Sequence, residues 1–134
     1  MRYSPYAEET AALAVMSEPQ LLEYFLTRVF ETEEVWGLDD GCEWVMQQRD
    51  EQWVMPLWPY RQFAEAAASG WSGCAPSAES LEDFVYQTLG ALIDEDTLLE
   101  VMSDPGRRGC LVSPQRLHDI FTGMMNAGEY TLDS

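Results

Sequence analysis

The sequence contains no lysine and a single histidine, His118. Without lysine, Schiff-base chemistry and the lysine of a phosphate-binding P-loop are both excluded. With one histidine, any Ser-His-Asp or Cys-His mechanism must run through His118. Neither a G-x-S-x-G turn nor a family-type cysteine signature accompanies it, so a partly exposed helix residue is the better reading. Cysteine is scarce too: Cys42, Cys74 and Cys110 are odd in number, widely spaced and in no C-x-x-C pair, which fits reduced thiols better than a disulfide frame. One histidine and three scattered cysteines also lack the paired spacing of zinc ligands, and neither a metal site nor a cofactor is expected. No apolar run approaches the length of a membrane span. The opening MRYSPYAEET carries acids where a signal peptide has its basic region, and AALAVM is too short for the apolar core of one. The expectation is a cytoplasmic protein that does not engage a membrane.

Positive charge is the other shortage. Acidic residues outnumber basic ones by 24 to 7, every basic residue is arginine, and the net charge is −17. Such a field repels a phosphate backbone, which counts against nucleic acid as a partner. It speeds encounter with a basic protein, in a salt-dependent way, and a basic protein is therefore the expected class of partner. Keeping a tryptophan-rich domain soluble explains the acidity equally well. Nothing in the pattern sets an oligomeric state.

The chain has 134 residues, 46% of them apolar, enough for one domain with a real core. Residues 1–16 read as an N-terminal extension with room for an extra helical turn or two, 17–128 as the domain and 129–134 as a tail. In SEPQLLEYFLTRVF, Leu21, Leu22, Phe25, Leu26, Val29 and Phe30 fall on one helical stripe. Ser17 is its N-cap, Pro19 stands in the first turn and Gln20 completes a capping box. VWGL, CEWVM and WVMPLW, separated by DDG and QQRDEQ, predict a three-stranded antiparallel meander. In the third strand both faces are apolar, so both are expected to be covered, and Pro56 marks an edge, bulge or bend.

After Trp58, Pro59 opens a predicted helix through YRQFAEAAASG that stops at Gly70. SGCAPSAE reads as a loop, and SLEDFVYQTLGALIDEDT as a second long helix with Leu81, Phe84, Val85, Leu89, Leu92 and Ile93 on one face. TLLEVM and CLV flank the turn-rich SDPGRRG, a closing hairpin. SPQRLHDIFTGMM is a final helix capped by Ser113, with Pro114 at its first position and Gly128 as a stop. The order α-β-β-β-α-α-β-β-α, without regular βαβ alternation, predicts an α+β domain: one antiparallel sheet of about five strands with helices packed against it.

In order along the chain, YFLTRVFETEEVWGL, a second-strand tryptophan at Trp44, PLWPYRQFAEAAASGW, SLEDF and LVSPQRL resemble the bacterial domain-of-unknown-function family 2750. The resemblance implies a compact α+β domain and brings no established activity with it. More distantly, the layout of a strand ending in proline and an aromatic, a helix, and a late hairpin running into SP is similar to the SseB-type domain, which implies a non-catalytic role. LLEVM departs from the family, which has a more apolar, aromatic-ended strand there.

The residues themselves offer few sites. Trp58, Tyr60, Arg61 and Trp71 lie at or beyond the bend after the third strand, where a side chain can be part core and part surface. Arg107 and Arg108 are the only adjacent basic pair; local pairing with Asp104 competes with contact to an anionic group. Glu33, Glu34, Asp39, Asp40, Asp94, Glu95 and Asp96 are candidates for an acidic partner surface. Asp94, Glu95 and Asp96 lack the alternation and central glycine of a calcium loop, and a carboxylate pair at glycosidase separation would arise by accident in so acidic a chain. Three function classes remain, in this order: a non-enzymatic protein-interaction module, concretely an immunity-type inhibitor covering a basic protein; a small-molecule binding or sensing domain with Trp36, Trp44, Trp58 or Trp71 around a pocket; and an enzyme using His118 or a carboxylate pair.

Overall fold

Ser17 and Gln20 set the first helix by exchanging hydrogen bonds: Gln20 N–H donates to Ser17 Oγ at 3.4 Å, and Ser17 N–H donates to Gln20 Oε1 at 2.8 Å. From that box α1 (Glu18–Thr32) buries Leu21, Leu22, Tyr24, Phe25 and Val29. It ends at Glu33, whose left-handed backbone (φ 60°) turns its N–H onto the Val29 carbonyl at 2.7 Å. The computed structural model describes residues 11–13, 15–49, 51–95, 97–103 and 108–126; most of the 1–16 extension, Gly128 and the 129–134 tail lie outside them.

The strands form two sheets. β1 (Glu34–Asp39) pairs antiparallel with β4 (Ala75–Ser80) in a two-stranded ribbon. β2 (Gln47–Arg49), β3 (Gln52–Leu57), β5 (Leu98–Val101) and β6 (Cys110–Val112) form a second sheet in the order β2-β3-β5-β6. In it β3 and β5 run parallel, from Val54 opposite Leu98 to Leu57 opposite Val101. The ribbon is joined to the sheet by Trp36 and Trp58, whose backbones exchange N–H···O bonds of 2.8 and 2.9 Å.

The α+β class stands, but the single antiparallel sheet does not. The expected three-strand meander fails at its first pairing: the chain that follows β1 makes only an isolated bridge with it, from Asp39 to Trp44, and β1 takes β4 as its strand partner. The expected loop SGCAPSAE contains that partner. APSAES has no β-branched or aromatic residue, so its strand state comes from pairing with β1 rather than from propensity. A hairpin does lead into β3, but its first strand is Gln47–Arg49, inside the expected turn QQRDEQ, and not the expected CEWVM; the closing hairpin of β5 and β6 is present. Pro56 falls where β2, paired only with Gln52–Val54, has already ended, which is where a missing N–H does least harm.

Helix α2 (Arg61–Ala68) follows the bend and lays Ala64 and Ala67 against Leu38 and Trp58. One continuous helix, α3, runs through Leu81–Asp83, a π-helical turn over Phe84–Thr88 and Leu89–Asp94. It starts at Ser80, whose hydroxyl accepts from Asp83 N–H at 3.2 Å. Helix α4 (Pro114–Asn126) starts at Ser113, whose hydroxyl accepts from Arg116 N–H at 3.1 Å. Along β3, Met55 and Leu57 point to one face, joined by Leu99, Val101, Cys110 and Val112. Together with Phe25, Phe84 and Phe121 from α1, α3 and α4 they make the main core.

The other face of the sheet holds an ion pair. Glu100, 2% exposed, accepts from both Arg49 Nη atoms at 3.0 and 3.2 Å and from Gly109 N–H at 3.1 Å. A Cβ at Gly109 would overlap the Val101 carbonyl, so glycine is required for this close approach. Removing one member of such a pair leaves a charge in a site closed to water, whereas replacing both by apolar groups is far cheaper. Arg49→Met is expected to destabilise the fold by about 3 kcal/mol, and Arg49→Met with Glu100→Leu to recover most of that loss, as read from urea unfolding midpoints.

Candidate functional site

The chain between β1 and β2 is held by its own acids. Asp39 Oδ1 accepts from Gly41 N–H at 2.6 Å, and Asp40 Oδ1 accepts from Cys42 and Glu43 N–H at 3.0 and 3.1 Å. Gly41, with φ 105°, supplies the backbone conformation that L side chains rarely adopt. The loop then returns to β1, where Val45 N–H donates to the Leu38 carbonyl at 2.7 Å. This places the Trp44 indole flat on Gly37: a Cβ there would stand 2.6 to 3.0 Å from three ring carbons. Trp44 also meets the Phe84 ring at 6.3 Å between centroids. The glycine of VWGL is thus a seat for Trp44, expected in the second strand but placed ahead of it.

Beside this loop lies a cleft of about 540 Å³. Trp44, Val45 and Met46 form one wall, Trp53 of β3 another, and Glu95 and Thr97, from the connection between α3 and β5, a third. Asp40 and Glu43 complete the lining. Trp53 continues the face that Met55 and Leu57 bury, but it stands at the end of that face and is 49% exposed. The two backbone N–H groups on Asp40 hold its carboxyl below its ordinary range, because they are donors to the charged form. The cleft therefore combines fixed negative charge with two indoles.

The residues named from sequence divide between core, surface and cleft. Trp58 is 1% exposed and donates its indole N–H to the Ser103 carbonyl at 2.7 Å. Tyr60 is fully buried and packs on Phe63 at 5.8 Å. Arg61 is exposed and pairs with Glu65 at 3.3 Å, while Trp71 packs half-buried against the cluster of Leu38, Trp58, Ala64 and Ala67. Those four do not share one cavity. Arg108 is exposed; Arg107 and Asp96 lie outside the described residues. The acids fall at opposite ends of β1. Glu33 and Glu34 lie at its start, where burial and then the neighbouring Glu82 push the Glu33 carboxyl up. Asp39 and Asp40 lie at its finish, and Asp40 meets Glu95 across the cleft, just after Asp94 ends α3.

Sequence reasoning missed Glu43, Trp53 and Thr97 as cleft residues. Trp53 carried one available signal, its position as the first large residue after the polar QQRDEQ turn, where a strand face is leaving the core. His118 lies half-buried on α4, with Nδ1 3.9 Å from Asp119 Oδ1. Among the described residues, no group of three or more His, Cys, Asp and Glu side chains converges as metal ligands would. No described helix is long and apolar enough to cross a membrane.

Two outcomes follow from the loop geometry. Gly37→Ala is expected to push Trp44 off its seat and destabilise the fold by about 1 to 3 kcal/mol, read by urea unfolding alongside the tryptophan emission maximum. Asp40 has a lower pKa folded than unfolded, so its contribution to stability is fully present above its ordinary value of 3.8 and is lost as pH falls through the lower folded value. Asp40→Asn should accordingly flatten the pH dependence of the urea midpoint below pH 3.8 and leave its slope near neutrality unchanged.

A search of curated proteins finds no match to the chain. Residues 22–120 match the family model described as a protein of unknown function, DUF2750. That span runs from within α1 to within α4 and includes every residue that lines the cleft, and the chain belongs to this family.

Proposed function

We propose that the protein is a non-enzymatic interaction module that holds a basic protein partner at the cleft between the β1–β2 loop, Trp53 and the end of α3. The observation that carries this reading is the convergence of Asp40, Glu43 and Glu95 with Trp44 and Trp53 around one surface cavity. Carboxylates attract a cation over a distance, and an exposed indole face rewards it on contact. The net charge of −17 adds a steering field of the same sign. An immunity-type inhibitor, which covers a basic protein with acidic surface, is the concrete form this takes. The free thiols of Cys42, Cys74 and Cys110 support the cytoplasm as its compartment.

The cavity volume favours a second reading, recognition of a small cationic molecule, because about 540 Å³ falls in the range of small-ligand sites. The two readings separate experimentally. Immobilised protein is expected to retain basic proteins from a lysate at low salt and to release them at high salt. The variant carrying Asp40→Asn, Glu43→Gln and Glu95→Gln should retain markedly less. Retention of no basic protein, or equal retention by the variant, would sink the interaction reading. Tryptophan fluorescence that responds to a small organic cation in the absence of any protein would favour the second.

A further inference from the structure

The cleft differs from a merely acidic surface in what its groups have left to offer. Glu43 and Glu95 make no side-chain hydrogen bond or ion pair among the described residues, unlike Asp40, whose Oδ1 is taken up by the loop. Trp53 leaves half of its surface uncovered. Thr97 is only 2% exposed yet lines the cavity, and its hydroxyl has no hydrogen-bond partner among the described residues. A hydroxyl that borders a cavity in this way can accept from a donor that enters it.

These offers match one cation better than another. A lysine ammonium is a compact, strongly hydrated point charge, so it gains little from an indole face that cannot replace its water. A guanidinium is planar, weakly hydrated and always charged, stacks on an aromatic ring, and directs several N–H donors outward in its own plane. Two carboxylates from separate walls can take those donors while the ring covers the flat face. Resting on the interaction reading above, we infer that the cleft seats the guanidinium of an arginine presented by a short basic segment of the partner protein, stacked on Trp53 between Glu43 and Glu95. Thr97 Oγ1 accepts a further guanidinium N–H at the floor. The cavity is larger than one side chain needs, leaving room for the backbone of the segment along the Trp44 and Met46 wall.

The test uses three short synthetic peptides of one length and spacing, bearing arginine, lysine or the neutral isostere citrulline, titrated at low salt into the full chain. The readout is the indole N–H resonance of Trp53. The arginine peptide is expected to bind about fivefold more tightly than the lysine peptide, and the citrulline peptide to produce no shift. Trp53→Ala, whose urea midpoint is measured in parallel, should reduce arginine affinity to the lysine level. Glu43→Gln with Glu95→Gln should weaken both charged peptides. Equal arginine and lysine affinities in the wild-type chain would overturn the arginine assignment without any variant, and would leave the general reading of a basic partner standing. Binding of both peptides with no perturbation at Trp53 would overturn the placement in the cleft. Failure of all three peptides while a basic protein is still retained from lysate would likewise overturn the inference, and failure of both experiments would remove the interaction reading with it.

Discussion

Two backbone hydrogen bonds between Trp36 and Trp58 are the joint on which the molecule is organised. They hold the β1–β4 ribbon to the β2-β3-β5-β6 sheet. The joint is closed from both sides. Trp58 is buried and anchored through its indole N–H to Ser103, and α2 seals its ring with Ala64 and Ala67. One residue beyond Trp36, Gly37 exposes bare backbone on which Trp44 lies. A change at the joint would therefore move the loop carrying Trp44, Asp40 and Glu43, and with it one wall of the cleft. Core and site are coupled through a single strand.

What could be read from sequence followed how local each signal is. The starts of α1 and α4 were legible because Ser17 with Gln20, and Ser113 with Pro114, state their helix starts within four residues. The β5–β6 hairpin was legible for the same reason. β4 was not, since nothing in APSAES prefers a strand, and its pairing with β1 spans the whole meander and α2. The parallel β3–β5 contact was hidden likewise, because its partners are separated by two helices and a strand. The π-helical turn in α3 left the apolar stripe nearly unchanged and so gave no sign of itself.

The site divides along the same line. Asp40 and Glu95 were legible as acids but not as neighbours, because β2, β3, α2, β4 and α3 lie between them in the sequence and only the fold brings them to one cleft. Trp58 and Tyr60 read from sequence as part core and part surface because they flank a bend, yet the bend turns them wholly inward. Trp53 looked like core because it alternates with Met55 and Leu57, yet the helices that cover those two do not extend over it. Exposure at the end of a strand depends on where another element stops, and alternation along the strand carries no information about that.

No arginine lines the cleft among the described residues, and three of the seven are engaged elsewhere. Arg28 is paired with Glu31 and stacked over Tyr24, Arg61 with Glu65, and Arg49 is committed to the buried Glu100. Each is engaged within its own element or inside the sheet, away from the β1–β2 loop. The acids of that loop and of the α3 terminus are left to repel one another, while backbone N–H groups hold the Asp40 carboxyl below its ordinary range. Exposed like charges cost little one at a time, but a fold gains nothing from gathering them around an uncovered indole. A cation arriving from outside would relieve the repulsion, cover the ring and meet the Thr97 hydroxyl in one step. That threefold complementarity is the physical basis for treating the cleft as a binding site, where an acidic surface patch alone would not suffice.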